Sequence, residues 1–342
     1  MPATHPDASR VFTLAHPQGL RIQVSALGAT WLSCRVPLPG MASREVLLAH
    51  QHPAQHALQP GYLGGIVGRF ANRIDGACFE HQGQLHRLAA NEGPHQLHGG
   101  PMGFNRRQWQ VLQAGPQALT LSLHSPDGDQ GYPGELTVQA HYSLPDARTV
   151  QLHLQATCSA PCPVSLTSHA YFNLDGAAPG QPLASVSGHG LQLRASQYLP
   201  VRDDLIPTGQ VLPVTGTALH RPSLQAIGQQ PIDHCVLLDG PPDTPVPAAR
   251  LCSSDGLLQM SLHTNYPALQ VYTGQWLHQN TDRQGQPFVP HAGVALEAQF
   301  LPDTPNHPEW ARQHGGWLLP GQRLDRVIRW VFDAVGAAAD RR

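Results

Sequence analysis

The chain contains no lysine: all 21 of its basic residues are arginine. That removes Schiff-base catalysis, a pyridoxal-phosphate lysine and the lysine of a phosphate-binding loop together. Charge of either sign is scarce, at 13% of 342 residues, and the formal net charge is only -2. Nothing electrostatic therefore favours nucleic acid or an anionic membrane as a partner. Long apolar runs are missing as well; none approaches the ~18 residues needed to cross a bilayer. The first residues, "MPATHPDASRVFTLAHPQG", lack the charged n-region and apolar h-region of a secretory signal, so a cytoplasmic location is the expectation. Six cysteines in a chain of this length are too dilute for a disulfide scaffold, and "CSAPC" has three residues between its thiols where a redox or zinc motif has two. Reduced, structural thiols are expected.

Histidine is abundant, with 21 copies, yet no H-E-x-x-H occurs. The closest pairs, His52/His56 and His95/His98, sit in segments rich in Gly, Pro and Gln rather than on a periodic helix. They read as ordinary polar residues, and no metal is implied.

Gly and Pro contribute 33 residues each and are spread along the whole chain. Between them lie short alternating or apolar runs such as "LRIQVSAL", "ALTLSLHS", "ELTVQAHYSL", "TVQLHLQAT", "LLQMSLHT" and "RVIRWVF". Turn clusters such as "SPDGDQGYPG" and "DGPPDTPVP" separate them. The pattern is that of an all-β, many-stranded antiparallel protein. Brief helices are expected only around Pro53 to Leu58 and Ser223 to Ile227. No fixed-period repeat and no linker divides the sequence, so residues 1–342 read as one continuous domain with a frayed tail from about residue 334.

Three strands carry unusual polar faces. In "VSLTSHAYFNLDG", Val164, Leu166, Ala170, Phe172 and Leu174 alternate with Ser165, Thr167, His169, Tyr171 and Asn173. In "GVALEAQF", Glu297 and Gln299 oppose Val294, Leu296, Ala298 and Phe300. In "ALQVYTG", Gln270 and Tyr272 oppose Leu269, Val271 and Thr273. Glutamate is rare, with six in the chain, and a glutamate on the solvent face of an edge strand is the plainer reading of Glu297 by itself. If the three faces converge, they line a groove of neutral hydrogen-bonding groups and aromatic edges with one potential acid and one potential base. Such a lining suits a sugar.

Loops add further candidates. "YLGGIVGRFANRIDG" lacks G-x-G-x-x-G spacing and a following helix, so it is no dinucleotide loop; its Arg69, Asn72 and Arg73 fit turn-bracing as well as ligand contact. "HQLHGGPMGFNRRQW" sets His98 before a double glycine, which permits left-handed backbone or close approach of a ligand. "PIDHCVLL" places Asp233 at the entry of an apolar strand, where it either caps the strand or contacts a substrate.

Taken together, "GRFANRI", "HQLHGGPMGFNRRQW", "SPDGDQGYPGEL", "TSHAYFNLDG", "YLPVRDDLIPTG", "IDHCVLL", "LQVYTG" and "ALEAQFLPDTPNHP" resemble, in order and spacing, the aldose 1-epimerases or galactose mutarotases. The likeness spans nearly the whole chain and implies a large antiparallel β-sandwich. It implies His169 as general acid and Glu297 as general base, with Asn72, Arg73, His98, Tyr171, Asp233 and Gln270 at positions that hold sugar hydroxyls. His98 would lie near the ring oxygen. The substrate implied is a monosaccharide, the reaction interconversion of α and β anomers, and neither cofactor nor metal is called for. Two neighbours of the histidine depart from the family pattern: Ser168 stands where Asn is common and Ala170 where a hydroxyl residue is common. Ala298 of "LEAQ" often appears as Thr. Two other readings remain open on sequence, a hexose 6-phosphate epimerase and a non-catalytic sugar-binding module. The first would want an arginine cluster at the pocket mouth, for which "NRRQW" (Arg106, Arg107) is the only close pair outside the C-terminal tail.

Overall fold

Strict alternation over long stretches dictates the larger sheet. In Ala118–Ser125, Leu136–Asp146 and Thr149–Cys158, every second residue is apolar and buried while its neighbours are polar and partly exposed. The computed structural model of the chain describes residues 10–177, 181, 183–241 and 244–335. In it these three strands pair antiparallel in sequence order, and Thr149–Cys158 then pairs with the last strand, Leu324–Ala334. The sheet runs to nine strands, with Gln110–Ala114 at the Ala118–Ser125 edge and, beyond the last strand, Leu258–Thr264, Val246–Cys252, Gly190–Leu193 and Gln225–Ala226. A four-stranded meander near the N-terminus, Val11 to Glu45, lies beside it.

A second antiparallel sheet carries the residues of interest. Its spatial order is Tyr171–Phe172, Val294–Gln299, Ala268–Tyr272, Asp233–Leu238, Ala195–Tyr198 and Leu212–Pro213. One face packs on the larger sheet: Phe172 lies against Trp31 and Trp330, with ring centroids 5.9 and 6.3 Å away. Leu269, Val271, Val294, Leu296 and Ala298 join the same core cluster. Burying each such side chain contributes roughly 1.5–3 kcal/mol relative to leaving it in water. The result is an antiparallel sandwich, as the strand-and-turn pattern predicts. The opposite face of the six-stranded sheet has its own smaller apolar clusters, one around Tyr171, Leu48, Leu63 and Ala295.

Several local expectations are corrected. The segment Val164 to Gly176 is not one strand: Thr167–Ser168 pairs with Ile66–Val67, and only Tyr171–Phe172 joins the six-stranded sheet. Nor is its polar face wet; Ser165, Thr167, His169, Tyr171 and Asn173 are all buried. Gln55–Leu58 is helical, but the stretch from Ser223 to Ile227 instead contains the edge strand Gln225–Ala226. Helices are not limited to the two brief stretches expected: "LPDTPNHPEW" runs into a two-turn helix, Pro308–His314, in which proline occupies the first turn, where its missing N–H costs nothing. Of the expected tail, Ala334 still belongs to the final strand, and residues 336–342 lie outside the described residues. All six cysteines are unpaired. No helix among the described residues is long and apolar enough to cross a membrane.

Candidate active site

Register puts the polar residues on one face. Tyr171 stands opposite Ala295, Tyr272 opposite both Ala295 and Asp233, and Gln270 opposite both Glu297 and Cys235. Side chains in register share a face, so Tyr171, Tyr272 and Asp233 form one row while Glu297 and Gln270 begin the next. Glu297 sits on an interior strand of this sheet, 2% exposed, rather than on the solvent face of an edge.

His169 precedes Tyr171 by two residues and reaches the Glu297 row, its Nε2 3.5 Å from Glu297 Oε1. Its backbone is held on both sides: His169 N–H donates to Gly65 O, and Gly64 N–H donates to His169 O, each at 2.9 Å. Gly64 has φ +71°, and a Cβ there would meet Trp31 O at 2.3 Å. The glycine run at 61–68 is thus the backbone seat of His169. Tyr62 from the same run stacks on the His169 ring, centroids 5.8 Å apart and planes 18° from parallel, while Tyr171 lies 4.9 Å away on another side.

Loops supply the facing wall. Arg73–Ile74 pairs antiparallel with Gln96–Leu97, which brings Asn72 beside His98. Arg73 grips Glu92 in a bidentate pair, Nε to Oε2 at 2.6 Å and Nη2 to Oε1 at 2.9 Å. Asn72 Oδ1 accepts from Arg73 N–H at 2.9 Å. Asp233 Oδ1 accepts from Gln270 Nε2 at 2.6 Å. The open cavity between these elements is about 370 Å³ and is lined by all eight residues singled out from the sequence: Asn72, Arg73, His98, His169, Tyr171, Asp233, Gln270 and Glu297. It is also lined by Tyr62, Glu92, Leu205, Tyr272 and Trp276. Of these, Tyr272 was visible on a polar strand face. The others carry no local signal, because the contacts that bring them in depend on loops folding over the sheet.

Burial dominates the electrostatics. It lowers His169 to about 4 and raises Glu297 well above the ordinary carboxylate range, with Asp233 adding to the rise and Arg73 opposing it. Both groups are driven toward their uncharged forms. The acid and base roles implied by the resemblance need His169 protonated and Glu297 ionised, so burial works against both of those forms. Asp233 is also raised, chiefly by burial, with Arg73 pulling the other way.

Other candidates fall elsewhere. Arg69 is structural: it is buried and donates to Ser125 Oγ and to the carbonyls of Ser125, Pro126, Pro133 and Gly134. Arg106 and Arg107 are not among the cavity-lining residues, and Arg107 pairs with Asp129, so no arginine cluster forms at the mouth. Ser168, Ala170 and Ala298 face away from the cavity. Ala170 and Ala298 belong to the core between the sheets, and Ser168 lies beside the buried Tyr142 hydroxyl. Donor atoms of His98, His169 and Glu297 come within 4.8 Å of one another, a set whose composition matches a catalytic zinc site.

Comparison with known proteins agrees along the full length. A family model described as aldose 1-epimerase matches residues 10–329. The aldose 1-epimerase of Escherichia coli (strain K12) is 37% identical, over 97% of this chain and 98% of its own. The galactose mutarotase of Homo sapiens is 34% identical, over 92% of this chain and 91% of its own. Among solved structures, an aldose epimerase homologue from C. elegans superimposes with a TM-score of 0.88 at 26% identity, covering 96% of this chain and all of the other.

Proposed function

The chain belongs to the aldose 1-epimerase family, and we propose that its cavity carries out the family's reaction with His169 and Glu297 as the proton-moving pair. The protein is an isomerase that interconverts the α and β anomers of aldoses. The observation that supports the assignment of the pair is the 3.5 Å approach of His169 Nε2 to Glu297 Oε1, both buried, at the floor of a cavity otherwise lined with hydroxyl-binding groups.

Anomerisation opens the hemiacetal, turns the freed aldehyde about C1–C2 and closes the ring on its other face. Opening needs a base to take the C1 hydroxyl proton and an acid to protonate the ring oxygen, each worth roughly 10²–10⁴ in rate when positioned. Glu297 is the base and His169 the acid. Sugar hydroxyls that donate to Glu297 favour its carboxylate over its acid form, and the proton it gives up has His169 Nε2 beside it as acceptor. On closure the two roles reverse, so the pair returns to its starting state.

The remaining wall holds hydroxyls that do not react. Arg73 donates from its fork, and Asp233, paired with Gln270, accepts. Tyr171 offers ring edge to sugar C–H groups and a hydroxyl to an oxygen, while Asn72 and His98 line the opposite side. Neutral aldoses are the substrates: a phosphate would need more than the one arginine, Arg73, that lines the cavity. Six unpaired thiols fit a reducing, cytoplasmic setting.

The test is polarimetric. The decay of freshly dissolved α-D-galactose, α-D-glucose, L-arabinose and D-xylose should accelerate in the presence of the protein, and glucose 6-phosphate should respond far less. A sugar that binds by calorimetry without faster anomerisation would turn the reading into a non-catalytic binding module.

A further inference from the structure

We infer that the backbone of Asn72 fixes the tautomer of His98, so that His98 is a permanent Nε2–H donor to the cavity and serves neither as a second base nor as a metal ligand. The inference rests on the reading of the cavity as the aldose site, but its first test does not.

Asn72 N–H points at His98 Nδ1 at 3.1 Å. An amide N–H only donates, so Nδ1 must present its lone pair and carry no hydrogen. A neutral imidazole then has its one hydrogen on Nε2. The arrangement is reciprocal, because His98 N–H donates to Asn72 O at 3.1 Å. Both residues are left-handed, Asn72 at φ 68° and His98 at φ 52°, a conformation that few residues besides glycine adopt but in which Asn and His are enriched. The antiparallel pairing of Arg73 with Leu97 next door, and the bond from Arg73 N–H to Asn72 Oδ1 at 2.9 Å, hold the two turns in place. A second proton would have to sit on Nδ1 and displace the Asn72 N–H, and burial, with His169 and Arg73 nearby, also pushes His98 well below the usual imidazole range.

Two consequences follow for the known reaction. His98, with its ring centroid 5.1 Å from that of His169, supplies a hydrogen bond but cannot accept the C1 proton, which confines proton transfer to His169 and Glu297. The three-residue donor set is also reduced: a metal needs the Nε2 lone pair, and that position carries hydrogen as long as Asn72 holds Nδ1. Asn72 is thus a positioning residue acting through His98.

Nitrogen NMR of the sugar-free, ¹⁵N-labelled protein, with His98 assigned by comparison with His98→Gln, reads the tautomer directly. The expected result is an unprotonated Nδ1 and a protonated Nε2 that do not change from pH 5.5 to 8 and do not move when Zn²⁺ is added. A protonated Nδ1, titration within that range, or a Zn²⁺-induced loss of the Nε2 hydrogen would overturn the inference. Kinetics give a second arm. His98→Gln, whose amide can place an N–H near the Nε2 position, should keep at least tenfold more kcat than His98→Asn; equal kcat in the two variants would also overturn it. Asn72→Gly keeps the left-handed backbone N–H and should keep the His98 tautomer whatever happens to KM. Failure of the wild-type protein to accelerate anomerisation would sink the functional reading while leaving the NMR outcome to stand or fall by itself.

Discussion

On the loop side of the cavity, polar groups are matched before any ligand arrives. Arg73 is clasped by Glu92, Asn72 and His98 are tied to each other through backbone and ring, and Asp233 on the adjoining strand is held by Gln270. On the sheet floor the opposite holds. Glu297 Oε2 and His169 Nδ1 are buried without a hydrogen-bond partner, and so, outside the cavity lining, are Thr167 Oγ1 and both polar atoms of Gln299. A buried polar atom left without a partner costs about 1–3 kcal/mol. On the proposed roles such a cost has a use, since groups already saturated by protein partners would have to break those bonds to move protons. The walls are pre-ordered by protein partners, while the two groups of the floor keep atoms that no protein group satisfies.

The sharpest way to break this contrast is to remove the floor. Glu297→Gln and His169→Asn should each lower kcat by about a hundredfold or more with modest change in KM, because they delete interactions made in the transition state. Near-normal polarimetric rates in either variant would end the assignment. Removing the wall should act differently. Arg73→Ala and Asp233→Ala each lose hydrogen bonds to a charged group, worth about 1.5–3 kcal/mol, so KM should rise roughly tenfold or more while kcat falls less. An unchanged KM for Asp233→Ala would return that residue to capping its strand.

A third test exploits protonation. On the proposed mechanism the pair works with one shared proton, and its loss or the gain of a second stops the reaction. Burial sets His169 at about 4, so the acid limb of kcat/KM should lie below pH 5, far under the position of an exposed histidine. The alkaline limb follows the raised Glu297. An acid limb near 6.5 would mean that His169 is not buried against charge as the structure has it. The smallest effect expected is on stability. Because Glu297 binds its proton more tightly folded than unfolded, that stabilisation is complete below its unfolded value and is lost as pH rises toward the folded one. Glu297→Gln removes the loss, so its melting temperature at pH 8 should exceed that of the wild type, with the gap closing as pH falls toward the unfolded carboxylate range. A gap that stays constant with pH would assign the change to packing.

Much of the floor was legible in the sequence because a period of two says which residues share a face. "VALEAQ" set Glu297 with Gln299 and "ALQVY" set Gln270 with Tyr272 on polar faces, the motif around His169 named the partner, and the strand register then brings Glu297 opposite Gln270. What periodicity does not reveal is what covers a face. Ser165 and Thr167 lie on a polar face in the sequence, yet both are fully buried, their segment paired through backbone with Phe70 and with the Ile66–Val67 strand. The clasp of Arg73 by Glu92 spans 19 residues with no repeating pattern to announce it, and Tyr62 was hidden in a glycine run whose purpose is to let backbone approach His169. The helix Pro308–His314 was missed for a related reason: prolines mark a loop when counted but a helix start when placed in the first turn. Ser168 and Ala170, the departures from the family pattern, prove to point into the core, where they touch packing rather than sugar.

The central claim is that His169 and Glu297 work as one unit sharing one proton. The direct test compares polarimetric kcat on fresh α-D-galactose for His169→Asn, Glu297→Gln and the double variant. A unit predicts that the double variant is about as slow as the slower single one, since either change alone already disables the pair. A double variant whose loss equals the product of the two single losses would show two groups acting independently, and would contradict it.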